Sequence, residues 1–321
     1  MEAEKNISGI SENLADSIVE QKAIEKKEIV KSFLHGKRIA ISVSENEELE
    51  HLGLSDHHLK DISIEIARYL IVNGATMLYG GDLRDKGYTR IFSELSYQYK
   101  FLSDKERRFV NYFPFPNFLK VSLDDKANFV KQQVEPKIIA IPKHLGNVDT
   151  ERKYEPFKSV EDRFIYSECF ADMRIIMAQD SDARILLGGK QKNYLGYIPG
   201  IIEEAFQTMQ ENKPIYLLGG FGGAAKSIIN VISGDIPKEL TNEFQFDTDF
   251  LVEFRNYCKG KSTINLNYDY LVKFFQQNTI ESISKQNGLS IEDNQILFES
   301  TNIHELVFLI IKGLQNISSN K

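Results

Sequence analysis

From Met173 to Phe206 the chain reads MRIIMAQDSDARILLGGKQKNYLGYIPGIIEEAF. Its first residues close a helix carrying Arg174, and Ala183 to Leu187 form a short apolar run of the length of a buried strand. Gly188 and Gly189 follow, then Gly196 and Gly200, and a new helix begins that carries the adjacent glutamates Glu203 and Glu204. A strand that ends in a glycine turn before a helix presents backbone N–H groups to an anion. With a cation and carboxylates close in sequence, this combination suits a phosphorylated sugar or nucleotide.

The same alternation extends on both sides. Upstream, KRIAISVS is a compact apolar strand, followed by the helix DHHLKDISIEIARYLIVNG, with Ser55 at its N-cap and Gly74 at its C-cap. ATMLYGGD is a second strand and GYTRIFSELSYQYK a second helix. Between Phe101 and Val134 the aromatic, proline-bearing stretch RRFVNYFPFPNFLKV reads as irregular, with a short strand and a lid or interface loop over 109–118. PKIIAIPKHL is a further strand, Gly146 to Lys158 a charged loop, and SVEDRFIYSECFADMRIIMAQ the helix that leads into the opening stretch. Downstream come strand PIYLLGG, the turn FGG and helix AAKSIINVIS. Strands alternating with helices predict an α/β fold, a doubly wound and mainly parallel sheet covered on both faces. Residues 1–34 read as an amphipathic helical arm, 35–236 as the ligand domain, and 237–321 as a helical extension.

Bulk properties exclude several classes. A chain of 321 residues can bury a full core, and a net charge of −7 argues against a binder of long nucleic acid, which needs a basic face. No apolar run reaches the roughly 18 residues of a membrane span, and none opens the chain as a signal peptide, so a cytoplasmic protein is expected. Cys169 and Cys258 have no metal-type spacing, and the histidines assemble no metal site. Asp56-His57-His58 has the look of a metallophosphoesterase motif but sits at a helix start without a companion acidic pair. No cofactor is expected.

Three glycine-rich turns follow apolar strands: Gly80-Gly81, Gly188-Gly189 with Gly196 and Gly200, and Gly219-Gly220 with Gly222-Gly223. In an open parallel sheet, ligands sit beyond the carboxyl ends of the strands where the strand order switches. Turns at one edge would line such a crevice, or simply permit tight connections. GGFGGAAKS is not a nucleoside-triphosphatase loop, because Lys226 would lie a turn inside its helix. A dinucleotide fingerprint and a nucleophile elbow are also missing from the sequence. Arg174 can clamp a phosphate or ribose hydroxyl, or form an ion pair. Periodicity puts Glu203 and Glu204 on opposite borders of one apolar helix face and does not choose between them.

Taken together, IAISVS, MLYGGD, IIAIPKHL and MRIIMAQDSDARILLGG resemble, in order, motifs of the SLOG superfamily, the Rossmann-like group of the Lonely Guy enzymes and related sensors. The resemblance covers about Lys37 to Ser233. It implies a ligand site built from Ser42, Ser44, Gly80, Gly81, Asp82, Gly188, Gly189, Gly196, Gly200, Gly219, Gly220 and Gly222. Lonely Guy enzymes hydrolyse the N-glycosidic bond of nucleoside monophosphates with a helix arginine and a glutamate. Register against their pattern assigns these catalytic roles to Arg174 and Glu204. Leu187 stands in place of a proline, Ile201 in place of a threonine, and Lys190 to Pro199 are inserted. The insertion and the pattern after it look more like the branch found in bacterial antiphage systems, whose members are linked to TIR-type effectors and bind nucleotide-derived signals such as ADP-ribose species. The resulting expectation is a homo-oligomer that binds NAD, an ADP-ribose-like molecule or a nucleoside phosphate and hydrolyses its N-glycosidic bond. The alternative is a non-catalytic sensor that regulates a partner effector.

Overall fold

The computed structural model describes residues 32–82, 84, 87–99 and 107–319. Nearly all of the arm expected over residues 1–34 lies outside them. From Phe33 on, the described residues form one compact unit. In chain order its elements are β1 (Arg38–Ser44), α1 (Asp56–Val72), β2 (Thr76–Gly80), α2 (Tyr88–Gln98), β3 (Phe109–Phe113), α3 (Leu123–Gln132), β4 (Val134–Ile138), α4 (Val160–Asp180), β5 (Ala183–Gly188), α5 (Gly200–Gln210), β6 (Ile215–Leu218) and α6 (Gly223–Ile232). The helices α7 (Asn242–Gln245), α8 (Asp249–Cys258), α9 (Tyr268–Gln277), α10 (Ile280–Asn287), α11 (Ile291–Glu299) and α12 (Ile303–Ser319) complete the chain.

The six strands lie in the order β4-β3-β2-β1-β5-β6, and every adjacent pair is parallel. The chain winds outward from β1 to β4, then returns through α4 to β5 on the other side of β1. The strand order therefore switches between β1 and β5, the point at which a crevice opens beyond the strand ends in sheets of this kind. Their register runs from Ile39 opposite Ala183 to Ser44 opposite Gly188, so both strands end side by side.

Alternation along β1 assigns its faces. Ala40 shares a core with Leu78, Val110 and Tyr112 under Met173 and Met177 of α4. Ile39, Ile41 and Val43 pack in the larger core with Leu59, Ile62, Ile66 and Leu70 of α1. That α1 starts at Asp56 is explained by Ser55, whose backbone N–H donates to His58 Nδ1 at 3.0 Å. It ends where Gly74 takes φ +83°, a conformation that favours glycine. His58 is thereby part of a helix cap. Among the described residues no group of three or more His, Cys, Asp or Glu could hold a metal ion.

The stretch 109–118, read as a short strand with a lid or interface loop, begins with an inner strand, Phe109–Phe113. Phe109, Val110, Tyr112, Phe113 and Phe115 are all buried, because a parallel strand covered on both faces takes apolar residues without alternation. The strand predicted over PKIIAIPKHL is shorter than its apolar pattern and lies at the sheet edge as β4. Pro136 cannot donate to a ladder and suits an edge, and the chain leaves the sheet after Ile138. The opposite edge is covered. Gly219 N–H donates to Leu297 O at 3.2 Å, and Asn287 Nδ2 donates to Ile215 O at 3.0 Å, so α10 and α11 close off β6. No helix among the described residues is long and apolar enough to cross a membrane.

Candidate functional site

A cavity of about 660 Å³ opens beyond the ends of β1 and β5. One wall comes from the β1–α1 connection and carries Glu45, Glu47, Glu50 and Asp56. The other comes from the β5–α5 connection, Lys190 to Asn193, and Phe244 of α7 completes the lining. The glycines where β5 ends follow from close approach. Gly188 has φ +64° and Gly189 φ +103°, and a Cβ on Gly188 would stand 2.6 Å from Ser44 O. The backbone N–H of Gly189 donates to Ser44 O at 2.8 Å, so this glycine ties two strand ends together. A similar arrangement holds at α6, where Gly223 N–H donates to Glu48 Oε2 at 2.8 Å. The anion at that helix start is the protein's own carboxylate.

Between the sheet and helices α4 and α5 lies a buried charge cluster. Arg174 Nη1 donates to Glu203 Oε2 at 2.7 Å, and Arg174 Nε stands 3.7 Å from Glu204 Oε1. Arg184, fully buried on β5, donates to Thr208 Oγ1 at 2.6 Å, Ser42 Oγ at 2.9 Å and Glu204 Oε2 at 3.1 Å. Ser42 Oγ also hydrogen-bonds Glu204 Oε2. Two guanidinium groups thus face two carboxylates, an arrangement that offsets the cost of burying each charge. The match is incomplete. Among the described residues Glu203 Oε1, Arg174 Nε and Arg184 Nη2 have no hydrogen-bond partner.

Burial pushes the Glu203 carboxyl up to about 7, with Arg174 opposing the shift and Glu204 adding to it. Burial likewise lowers the Arg184 guanidinium from its ordinary value, against the pull of Glu204. For Glu203 the folded chain holds the proton more tightly than the unfolded chain. Its contribution to stability is therefore fully present below the ordinary value of 4.5 and is lost as pH rises through about 7. Glu203→Gln cannot ionise and is expected to shrink the difference in urea midpoint between about pH 5 and about pH 8. An undiminished difference would contradict this assignment.

The inserted segment Lys190 to Pro199 is laid over this cluster. A Cβ on Gly196 would stand 2.7 Å from Arg174 Nη1, and one on Gly200 would stand 2.9 Å from Arg174 Nη2, so both glycines make room for the guanidinium. Tyr197, buried, donates its hydroxyl to Glu168 of α4. Glu168 is only 1% exposed and also accepts from Thr263 N at 2.9 Å and Thr263 Oγ1 at 3.1 Å, with His144 Nε2 at 2.7 Å. One carboxylate therefore joins α4, the insertion, the loop after β4 and the C-terminal helices.

The expected site residues divide into groups. Ser42, Arg174, Glu204, Gly196 and Gly200 come together in the cluster, and Ser44, Gly188 and Gly189 lie where β1 and β5 end beside the cavity. Gly80 packs on Met173, Gly81 N–H donates to Tyr112 O at 2.7 Å, and Asp82 lines a separate recess of about 240 Å³ with its carboxylate on Arg84. Gly219 and Gly220 abut the carbonyl oxygens of Phe298 and Ser300, and Gly222 abuts Glu48. The first two serve the docking of the C-terminal helices. Arg184, Glu168 and Phe244 were not anticipated. Arg184 had a signal, since a charge inside a strand buried on both faces requires a partner.

A doubly wound parallel sheet with a crevice at its switch point defines a Rossmann-like fold. A family model described as SLOG cluster2 matches residues 33–297, and the chain belongs to this family. The match runs through α7 to α10 and into α11. No curated protein matches the chain. Membership is consistent with binding a nucleotide-related ligand.

Proposed function

We infer that the chain binds a nucleotide-derived ligand, of the class of NAD, ADP-ribose-like molecules or nucleoside phosphates, in the crevice beyond β1 and β5, and acts as its sensor. The observation that carries this reading is the cavity's position and lining: Lys190 and Lys192 face a wall of carboxylates at the switch point. Lysines attract phosphate, and carboxylates accept hydrogen bonds from ribose hydroxyls. Sensing is favoured over cleavage because the charges assigned to catalysis already neutralise one another. The Arg174 side chain is 8% exposed and pairs with Glu203, while Glu204 Oε2 is engaged by Arg184 and Ser42. In this setting a homo-oligomer working with a partner effector, TIR-type by family resemblance, serves cytoplasmic antiphage defence. The ligand domain then spans 35–236, between an N-terminal arm and a helical extension.

One observation favours N-glycosidic hydrolysis as a second reading. Glu204 keeps 13% of its side chain exposed with Arg174 3.7 Å away, a carboxylate able to stabilise an oxocarbenium-like state. Incubating purified protein with NAD, ADP-ribose and nucleoside monophosphates, followed by chromatography, separates the two. Binding with every ligand recovered intact is expected. Release of free base that disappears in Glu204→Gln would overturn the sensor reading in favour of the enzyme.

A further inference from the structure

Phe244 belongs to α7, outside the strand–helix alternation, yet its ring lines the crevice and is the only phenylalanine, tyrosine or tryptophan among the described residues that do. It is held firmly. Lys192 Nζ donates to the Phe244 carbonyl oxygen and stands 4.2 Å from the ring centroid, and the same ammonium pairs with Asp247 at 2.9 Å. The next residue, Gln245, is 1% exposed, donates to Gln191 O at 3.0 Å and Glu239 O at 2.7 Å, and accepts from Tyr194 Oη at 2.9 Å. The lysine-bearing wall and the α7 turn are thus one hydrogen-bonded unit, and the ring's place in the cavity is fixed before any ligand arrives.

Phe244 supplies a phenyl ring to a cavity whose other lining is mostly charged and amide side chains, with Leu49, Ser55 and His57 among them. A planar base covers the ring face to face, a contact that a non-planar ribose phosphate matches only with single C–H groups, and it leaves phosphate within reach of Lys190. We propose that Phe244, held by Lys192 and Gln245, is the specificity-determining residue of the crevice, selecting base-bearing nucleotides over sugar phosphates. The C-terminal helical layer thereby completes the ligand site. This proposal rests on the crevice being the ligand site, as inferred above.

Calorimetric titration of the full chain with ADP-ribose and with ribose 5-phosphate, a fragment that ADP-ribose contains, tests it. The unaltered chain is expected to prefer ADP-ribose. Phe244→Leu should weaken ADP-ribose by about tenfold while ribose 5-phosphate stays within about twofold of its starting affinity, including when that affinity is too weak to detect. Phe244→Tyr, which keeps the ring, should restore ADP-ribose binding, and Phe244→Met serves as the non-aromatic variant if the leucine form does not fold. Undiminished ADP-ribose affinity in the non-aromatic variant, or equal weakening of both probes, would overturn the role of Phe244 while leaving the crevice intact. Binding of neither probe, nor of NAD or a nucleoside monophosphate, by the unaltered chain would overturn the functional reading, and this proposal with it.

Discussion

Arg184→Met is expected to destabilise the chain by about 3–5 kcal/mol, the cost of removing one partner of a buried ion pair. The guanidinium is fully buried and makes three hydrogen bonds, to Thr208, Ser42 and Glu204. Methionine fills much of the same volume, so the loss is chiefly polar. Glu204 would keep only Arg174, 3.7 Å from its other oxygen, as a charged partner. The double variant Arg184→Met with Glu204→Leu removes the stranded charge and should recover part of the loss, because replacing both members of a buried pair costs far less than breaking it. Equilibrium urea unfolding of the two variants checks this. A double variant no more stable than Arg184→Met would mean that the pair is not coupled as its geometry indicates.

Glu168→Leu is expected to lose about 1–3 kcal/mol, because it strands the buried Tyr197 hydroxyl and removes the acceptor shared by Thr263 and His144. Thr263 would lose acceptors for both its N–H and its hydroxyl, and the buried Tyr197 hydroxyl would lose its acceptor. The consequence should be local as well as global. Hydrogen exchange should quicken over residues 194–199 and 259–267, the two segments that Glu168 binds to α4, while β1 to β3 keep their protection. Equal acceleration across the whole sheet would show that Glu168 is an ordinary core residue rather than a tie between segments.

Much of the architecture was legible because each element followed from local chemistry. The apolar runs of β1, β2, β5 and β6 are bounded by polar residues or glycines, and Ser55 and Gly74 mark the ends of α1. Phe109–Phe113 was harder, since a fully buried strand shows no alternation and neighbouring prolines suggest a loop. In the site, family register brought Arg174 and Glu204 together, and the structure has them within 3.7 Å. It could not reveal that Glu203 lies closer to Arg174, at 2.7 Å, because periodicity put both glutamates on borders of one face. Gly219 and Gly220 show the opposite difficulty. A glycine demanded by close packing of a helix 78 residues later in sequence, as for Gly219 and Leu297, reads like one demanded by a ligand. Phe244 and Glu168 carried no local signal, because their roles depend on where the C-terminal helices dock.

The central claim, a nucleotide-derived ligand held in the crevice between β1 and β5, is tested most directly by hydrogen exchange read by mass spectrometry with and without saturating ADP-ribose. Protection is predicted over residues 45–57 and 190–193, the two walls of the cavity, with the ligand recovered intact. Saturating ligand that leaves both walls unprotected, or protection confined to another face such as residues 255–267, would contradict the account.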